Sequence, residues 1–224
     1  MMSEPMTRSS PIQHLLESRG AEFRNFGGSS YVVRSNSEKD DQRTLELLGL
    51  CDLSGLQKLG LRGPHAEAWL TTKGIDVPSD VFATRSLPDG GVIVRLGADE
   101  FFLEDDIANT ALPAFSAQID SHEDLVRVEH QEATFLLTGR RSLKVLAQTC
   151  GINIREAVPH EALYTRVAGV SCGVLPETRR DLPAYRLWVD PSYAVYFWET
   201  LVEICGSLEG GEIGAGCIYP ELLS

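Results

Sequence analysis

One pattern of strand, helix and further strands occurs twice in this chain, and it limits the fold more than any other feature. Gln57-Lys58-Leu59-Gly60-Leu61-Arg62 alternates polar and apolar residues, as a half-buried strand does. Gly63-Pro64 then opens a helix, because proline suits a first helical turn. Ala66, Trp69 and Leu70 fall on one helical face, and Gly74 ends the helix. Strands are expected over residues 81–86, 91–96 and 100–104. The pattern returns at Phe135-Leu136-Leu137-Thr138-Gly139, a strand running into a tight turn. Leu143, Val145, Leu146 and Thr149 mark the second helix, which Gly151 stops. Strands follow over 163–167, 171–175 and 185–189. Leu61-Arg62-Gly63 matches Leu137-Thr138-Gly139, and Gly74-Ile75 matches Gly151-Ile152. Thr84-Arg85 matches Thr165-Arg166, and Phe101-Phe102-Leu103 matches Tyr185-Arg186-Leu187. The marks keep their order and drift slowly apart, as loop insertions in a duplicated unit would make them. The expectation is an α+β fold: two repeated strand–helix–strand–strand units forming antiparallel or mixed sheets with helices packed on them. The intertwined halves would span about residues 50–125 and 126–210.

The flanks add elements. A helix is expected from Pro11 through Ile12, Leu15 and Leu16 to Gly20, then an extended segment over 23–33 with a turn at Gly27-Gly28-Ser29-Ser30. Ser37 before Glu38-Lys39-Asp40-Asp41 has the acidic start of a helix. A last helix over 192–208 puts Val195, Trp198, Leu201 and Val202 on one face. Tyr193, Tyr196 and Phe197 lie to one side of it, for core packing or for docking a partner. Residues 1–10 are expected to be a disordered tail, 11–210 the domain, and 211–224 a Gly-rich C-terminal tail.

Charge narrows the partners. A net charge of −12 over 224 residues disfavours nucleic acid and anionic membrane surfaces, which are bound through Lys and Arg. No stretch approaches the apolar length of a membrane span, and the N-terminus has no secretory apolar region. The five cysteines show no CxxC spacing, which fits reduced thiols in the cytoplasm. No metal site is expected: the histidines form no HExxH, and His130-Gln131-Glu132 lacks the PCxxC half of a zinc deaminase. Gly169-Val170-Ser171-Cys172-Gly173 has the letters of a nucleophile elbow, but Pro176 and Pro183 interrupt the helix it needs. No histidine follows His160 to complete a triad. The acidic runs at 38–41 and 104–106 suggest solvated faces or helix starts.

A family resemblance rests on a series of loose motifs in order. Ser10-Pro11-Ile12, Gly20-Ala21-Glu22-Phe23, Phe26-Gly27, Tyr31, Arg43, Gly49-Leu50 and Asp52-Leu53-Ser54 are followed by Lys58-Leu59-Gly60-Leu61-Arg62-Gly63-Pro64. Trp198-Glu199-Thr200-Leu201 and Gly214-Ala215 close the series. Together they resemble the glycine-cleavage T-protein family, the folate-dependent aminomethyltransferases. The resemblance implies a folate-binding-type domain in which the two repeats wall a folate-sized pocket. It implies tetrahydrofolate as the ligand. The strands matching the family's later pocket segment make Arg166, Tyr185 and Arg186 candidate folate-binding residues, joined by Glu177, expected in a loop with Arg179 and Arg180 beside it.

The departures concern chemistry. The family is expected to carry a carboxylate after a Gly-Gly hairpin, and here Gly90-Gly91 is followed by Val92-Ile93-Val94-Arg95. Its aromatic after Phe-x-Gly is Gly28, its ring after Asp-x-Ser is Gly55, and its TGE-type segment is replaced by Val167-Ala168-Gly169-Val170. The chain stops where the family's C-terminal barrel domain is expected to begin. No catalytic residue is therefore assigned. In these respects the chain resembles the gamma subunit of heterotetrameric sarcosine oxidase, which implies flavoenzyme subunits as partners in a hetero-oligomer, with self-association the other option. The implied function is a non-catalytic subunit or binding module of one-carbon (glycine or sarcosine) metabolism. The alternative is a divergent tetrahydrofolate-dependent aminomethyltransferase with relocated acids. Gly216-Cys217-Ile218-Tyr219 echoes part of the motif of folate-binding iron–sulfur cluster maturation proteins, but without its Lys and Gln.

Overall fold

A computed structural model describes residues 8–88, 90–107, 111–119, 122–158 and 160–223. They form two compact units, the first from residues up to 55, 132–159 and 163 onward, the second from 56–131 and 160–162. The first unit begins with helix α1 (Gln13–Ser18) and the hairpin β1 (Glu22–Phe26) and β2 (Ser29–Arg34). Residues 1–7 of the expected tail lie outside the described residues. The remainder is held, because the Arg8 N–H donates to the Gly28 carbonyl and the Arg8 carbonyl accepts from Ser30.

Helix α2 (Glu38–Leu48) starts where Ser37 predicts, with the Ser37 hydroxyl accepting from the Asp40 N–H at 3.2 Å. Asp41 is buried and ties two ends of the chain together. It accepts from the backbone of Ser35 and Asn36, and from the Gly214 N–H. Helix α2 passes directly into β3 (Gly49–Asp52). The Asp52-Leu53-Ser54 motif is structural: the Ser54 hydroxyl donates to Asp52 and accepts from the Thr134 N–H at 3.1 Å.

The second unit holds β4 (Lys58–Arg62), α3 (Ala66–Thr72), β5 (Thr84–Ser86), β6 (Val92–Arg95), β7 (Glu100–Glu104), α4 (Ala111–Ile119) and β8 (Val126–Val128). The strand expected over 81–86 is shorter than its residues suggest. Phe82 has φ +68, and an extended strand cannot pass through that conformation.

The chain then returns to the first unit with β9 (Ala133–Thr138), α5 (Ser142–Thr149), β10 (Leu163–Val167), β11 (Val170–Arg179), β12 (Leu182–Val189), α6 (Ala194–Ser207) and β13 (Gly211–Ile213). Pro176 and Pro183 do not break β11 and β12. Pro176 lies beyond the last residue paired with β10, and Pro183 beyond the last paired with β9. At those places no ladder bond needs the missing N–H. The expected C-terminal tail is built into the unit. β13 pairs parallel to β3, and Ala215, Ile218, Tyr219 and Leu222 are buried.

Both sheets have the same order. The second unit runs β5-β6-β7-β4-β8, and the first runs β10-β11-β12-β9-β3-β13. Each repeat's first strand, β4 or β9, is flanked by its own last strand and by a leading strand. β3 precedes the first repeat in sequence yet pairs with β9, and β8 precedes the second repeat yet pairs with β4. The two leading strands are thus exchanged between repeats.

The helices α5 and α6 cover one face of the first sheet, around Phe135, Leu137, Val174, Leu187, Phe197 and Trp198. Trp69, Leu70, Ile93, Phe101 and Leu103 form the core of the second. On α6 the buried residues are Ala194, Phe197, Trp198, Leu201 and Cys205, whereas Tyr193 and Tyr196 are exposed. The aromatic group expected on one side is thus split. Among the described residues, no helix is long and apolar enough to cross a membrane.

Candidate functional site

Strand alternation decides which residues share a face. On β12, Tyr185, Leu187 and Val189 pack with the helix-covered core, so Arg186 and Trp188 lie on the other face. On β11, Cys172 and Val174 face the core, which leaves Gly173, Leu175, Glu177 and Arg179 beside Arg186 and Trp188.

The helix-free face of the first sheet carries a charged cluster. The Arg186 side chain is 1% exposed, and its Nη2 stands 3.5 Å from Glu177 Oε2. Arg179 Nε stands 3.3 Å from Glu177 Oε1, and the Arg179 guanidinium lies over the Tyr219 ring. Two guanidinium groups thus share one carboxylate. Glu177 sits on a strand and not in the loop expected of it. Next to this cluster, Gly173 leaves room for rings: a Cβ there would meet Trp188 at 3.0 Å and Tyr164 at 3.1 Å.

The four candidate residues are not one constellation. Glu177 and Arg186 are in contact. Tyr185 packs on the opposite, helix-covered face, where burial pushes its phenol pKa up. Arg166 is exposed on the edge strand β10, opposite Ser171, at the far end of β11 from Glu177. Ser171 itself is in a strand with no helix after it, so the GxSxG letters do not form an elbow.

The helix-free face of the second sheet carries a buried ion pair that the sequence reading missed. Lys58 Nζ lies 3.2 Å from Glu104 Oε2, and both side chains are fully buried. Lys58 also donates to the Leu56 carbonyl. The acidic run at 104–106 was expected to be a solvated face or a helix start; Glu104 and Asp105 are buried, and Asp105 accepts from the Leu112 N–H in the first turn of α4. Register brings the pair together, since Lys58 and Val92 both lie opposite Glu104. Beside it, the His130 ring meets that of Phe102 at a tilt of 59°, centroids 4.8 Å apart, and covers Gly60, where any Cβ would collide with it.

Arg95, the one charged residue of the Val92–Arg95 window after Gly90-Gly91, is engaged through all three guanidinium nitrogens. Its Nε donates to the Pro78 carbonyl, Nη1 to the Ala98 carbonyl and Nη2 to Glu67, and the guanidinium lies over the Phe101 ring. It braces this unit and offers no acid or base.

Burial pushes the Cys217 thiol up to about 12, as it does that of Cys205, which disfavours the reactive thiolate. Both are expected to resist iodoacetamide at about pH 8 in the folded protein and to react once it is denatured, as mass spectrometry of labelled peptides would show. Among the described residues, no group of His, Cys, Asp and Glu side chains is arranged to hold a metal ion.

No family model matches the chain. It is 24% identical over 217 residues to an aminomethyltransferase of Streptomyces avermitilis, a match covering 90% of this chain and 58% of the relative. Its fold superposes on the glycine cleavage system aminomethyltransferase T of Bartonella henselae with a TM-score of 0.75 and 16% identity, covering 94% of this chain and 60% of that one. The chain has the fold of the T-protein. It spans about three fifths of the length of those two proteins. It is similar also to one chain of the heterotetrameric sarcosine oxidase of Corynebacterium sp. U-96, solved in complex with pyrrole 2-carboxylate, with a TM-score of 0.65 at 20% identity, covering 92% of this chain and 98% of that one.

Proposed function

We propose that this T-protein-like chain is a non-catalytic subunit or binding module of one-carbon metabolism, of the sarcosine oxidase gamma type, working in a hetero-oligomer with a flavoenzyme. The observation that carries this reading is the fold shared with a chain of a heterotetramer, at a TM-score of 0.65 over 92% of this chain. A second supports it: the window Val92–Arg95 after Gly90-Gly91 holds no carboxylate, and its one charged residue, Arg95, is bound within its own unit.

Tetrahydrofolate is the ligand the resemblance implies. The residues at the candidate site do not make a clamp for the guanidine-like edge of a pterin, which needs a carboxylate free to accept. Glu177 is already shared by Arg179 and Arg186. Glu177 and Arg186 remain the joint candidates for contact with such a ligand, and with Arg179 beside them the three groups carry one net positive charge, which suits an anionic part of it. Tyr185 and Arg166 have no place beside them.

One observation favours the alternative, a divergent aminomethyltransferase with a relocated acid. Glu104 lies directly across from Val92, within the window that lacks a carboxylate. Its pairing with Lys58 in a fully buried setting speaks against a role as base.

Affinity isolation of the tagged chain from the cells that produce it tests the proposal. The expected result is a stable complex containing a larger protein with a flavin absorption spectrum. Recovery of the chain alone, or only as copies of itself, would remove the hetero-oligomer from the account.

A further inference from the structure

One cleft of the first unit belongs to none of these features. It lies among β2, the start of α2, the β11–β12 turn and the C-terminal segment, and its volume is about 210 Å³. Arg34 and Arg180 line it, against apolar walls from Val33 and Leu223. The Arg34 Nε–H is buried and, among the described residues, meets no acceptor. Its other nitrogens are held at longer range, Nη1 at 3.2 Å from Glu22 and Nη2 at 3.7 Å from Glu38. The Glu38 side chain is 77% exposed, so that contact is easily exchanged.

Arg180 reaches the cleft from the turn between β11 and β12. It has φ +50 and its neighbour Asp181 has φ +62, a left-handed pair built without glycine. One of its N–H groups donates to the Cys217 carbonyl, which fixes the side chain at the mouth and leaves further donors on the same guanidinium. Asp41, the buried carboxylate of the lining, does not compete. Its two oxygens already accept from the N–H groups of Ser35, Asn36 and Gly214 and from the Asn36 side chain.

We propose that this cleft binds a small organic carboxylate with a short apolar tail. The carboxylate bonds to the free Nε–H edge of Arg34 and to Arg180, and the tail lies on Val33 and Leu223. A guanidinium edge matches a carboxylate with two parallel bonds, which a neutral amide cannot reproduce. In the unliganded protein, Glu38 partly fills the place of the ligand's carboxylate. The site is separate from the Glu177–Arg186 cluster and does not depend on folate binding.

The test is a titration with sodium butyrate followed by backbone amide NMR, with butyramide as the neutral isostere and potassium chloride as the ionic-strength control. Saturable shifts are expected at Arg34, Gly216 and Cys217 with butyrate alone. Arg180→Ala, at an exposed turn, is expected to weaken binding about tenfold by removing a charge-assisted bond. Glu38→Gln is expected to tighten it by removing the competing carboxylate. Equal shifts with butyramide would overturn the proposal, as would unchanged affinity in both variants, or no saturation up to about 50 mM, the weakest binding worth calling a site.

Discussion

Lys58→Met is expected to destabilise the protein by about 3–5 kcal/mol, and Glu104→Leu by a similar amount. Both side chains are fully buried, with Nζ and Oε2 3.2 Å apart. Removing either one takes from the other its close counter-charge in a site away from water, or forces it to lose its charge. The double variant Lys58→Met with Glu104→Leu is expected to recover most of the loss, because replacing both partners with apolar groups of like size removes the desolvation cost along with the attraction. Urea unfolding of the four proteins gives the coupling directly. Additive losses in the double variant would show that the two residues do not act as a pair.

Gly63→Ala and Gly139→Ala are each expected to cost about 3 kcal/mol or more, since steric overlap and a left-handed backbone combine at both places. These glycines occupy equivalent positions, at the end of the first strand of each repeat. Gly63 has φ +146, and a Cβ would lie 2.1 Å from the Asp124 carbonyl oxygen. Gly139 has φ +104, and a Cβ would lie 2.7 Å from the Leu47 backbone. In each case the obstruction is backbone just ahead of the leading strand supplied by the other repeat, β8 or β3. Backbone cannot yield as a flexible side chain can. Thermal unfolding checks the pair. Gly151→Ala, where a Cβ meets nothing within 4 Å, is the control expected to change little.

The same glycines explain what the sequence disclosed. Leu61-Arg62-Gly63 and Leu137-Thr138-Gly139 align because one backbone geometry, strand into left-handed turn into helix, is required twice. Local signals such as the Ser37 cap of α2 were equally readable, since capping acts within a single turn. The exchange of β3 and β8 was not readable, because short strands carry no mark of their partner. The Lys58–Glu104 pair was hidden for the same reason. It exists only through the β4–β7 register, and an acidic run such as 104–106 has the composition of a solvated face.

One misplacement could have been avoided from sequence. Tyr185 and Arg186 are neighbours on a strand, so they point to opposite faces and could not both contact one ligand. Conversely, Glu177 and Arg186 meet because the β11–β12 hairpin folds back at Arg180-Asp181, and Pro176 and Pro183 had concealed that hairpin.

The central claim is that a T-protein-like scaffold is kept here without its chemistry. The most direct measurement incubates the purified chain with tetrahydrofolate and an aminomethyl donor, and follows formation of methylenetetrahydrofolate. The account predicts no formation above the uncatalysed background, for the chain alone and for any complex isolated with it. Catalysed formation that Glu104→Gln abolishes, with the fold retained, would contradict it and make Glu104 the relocated acid of an enzyme.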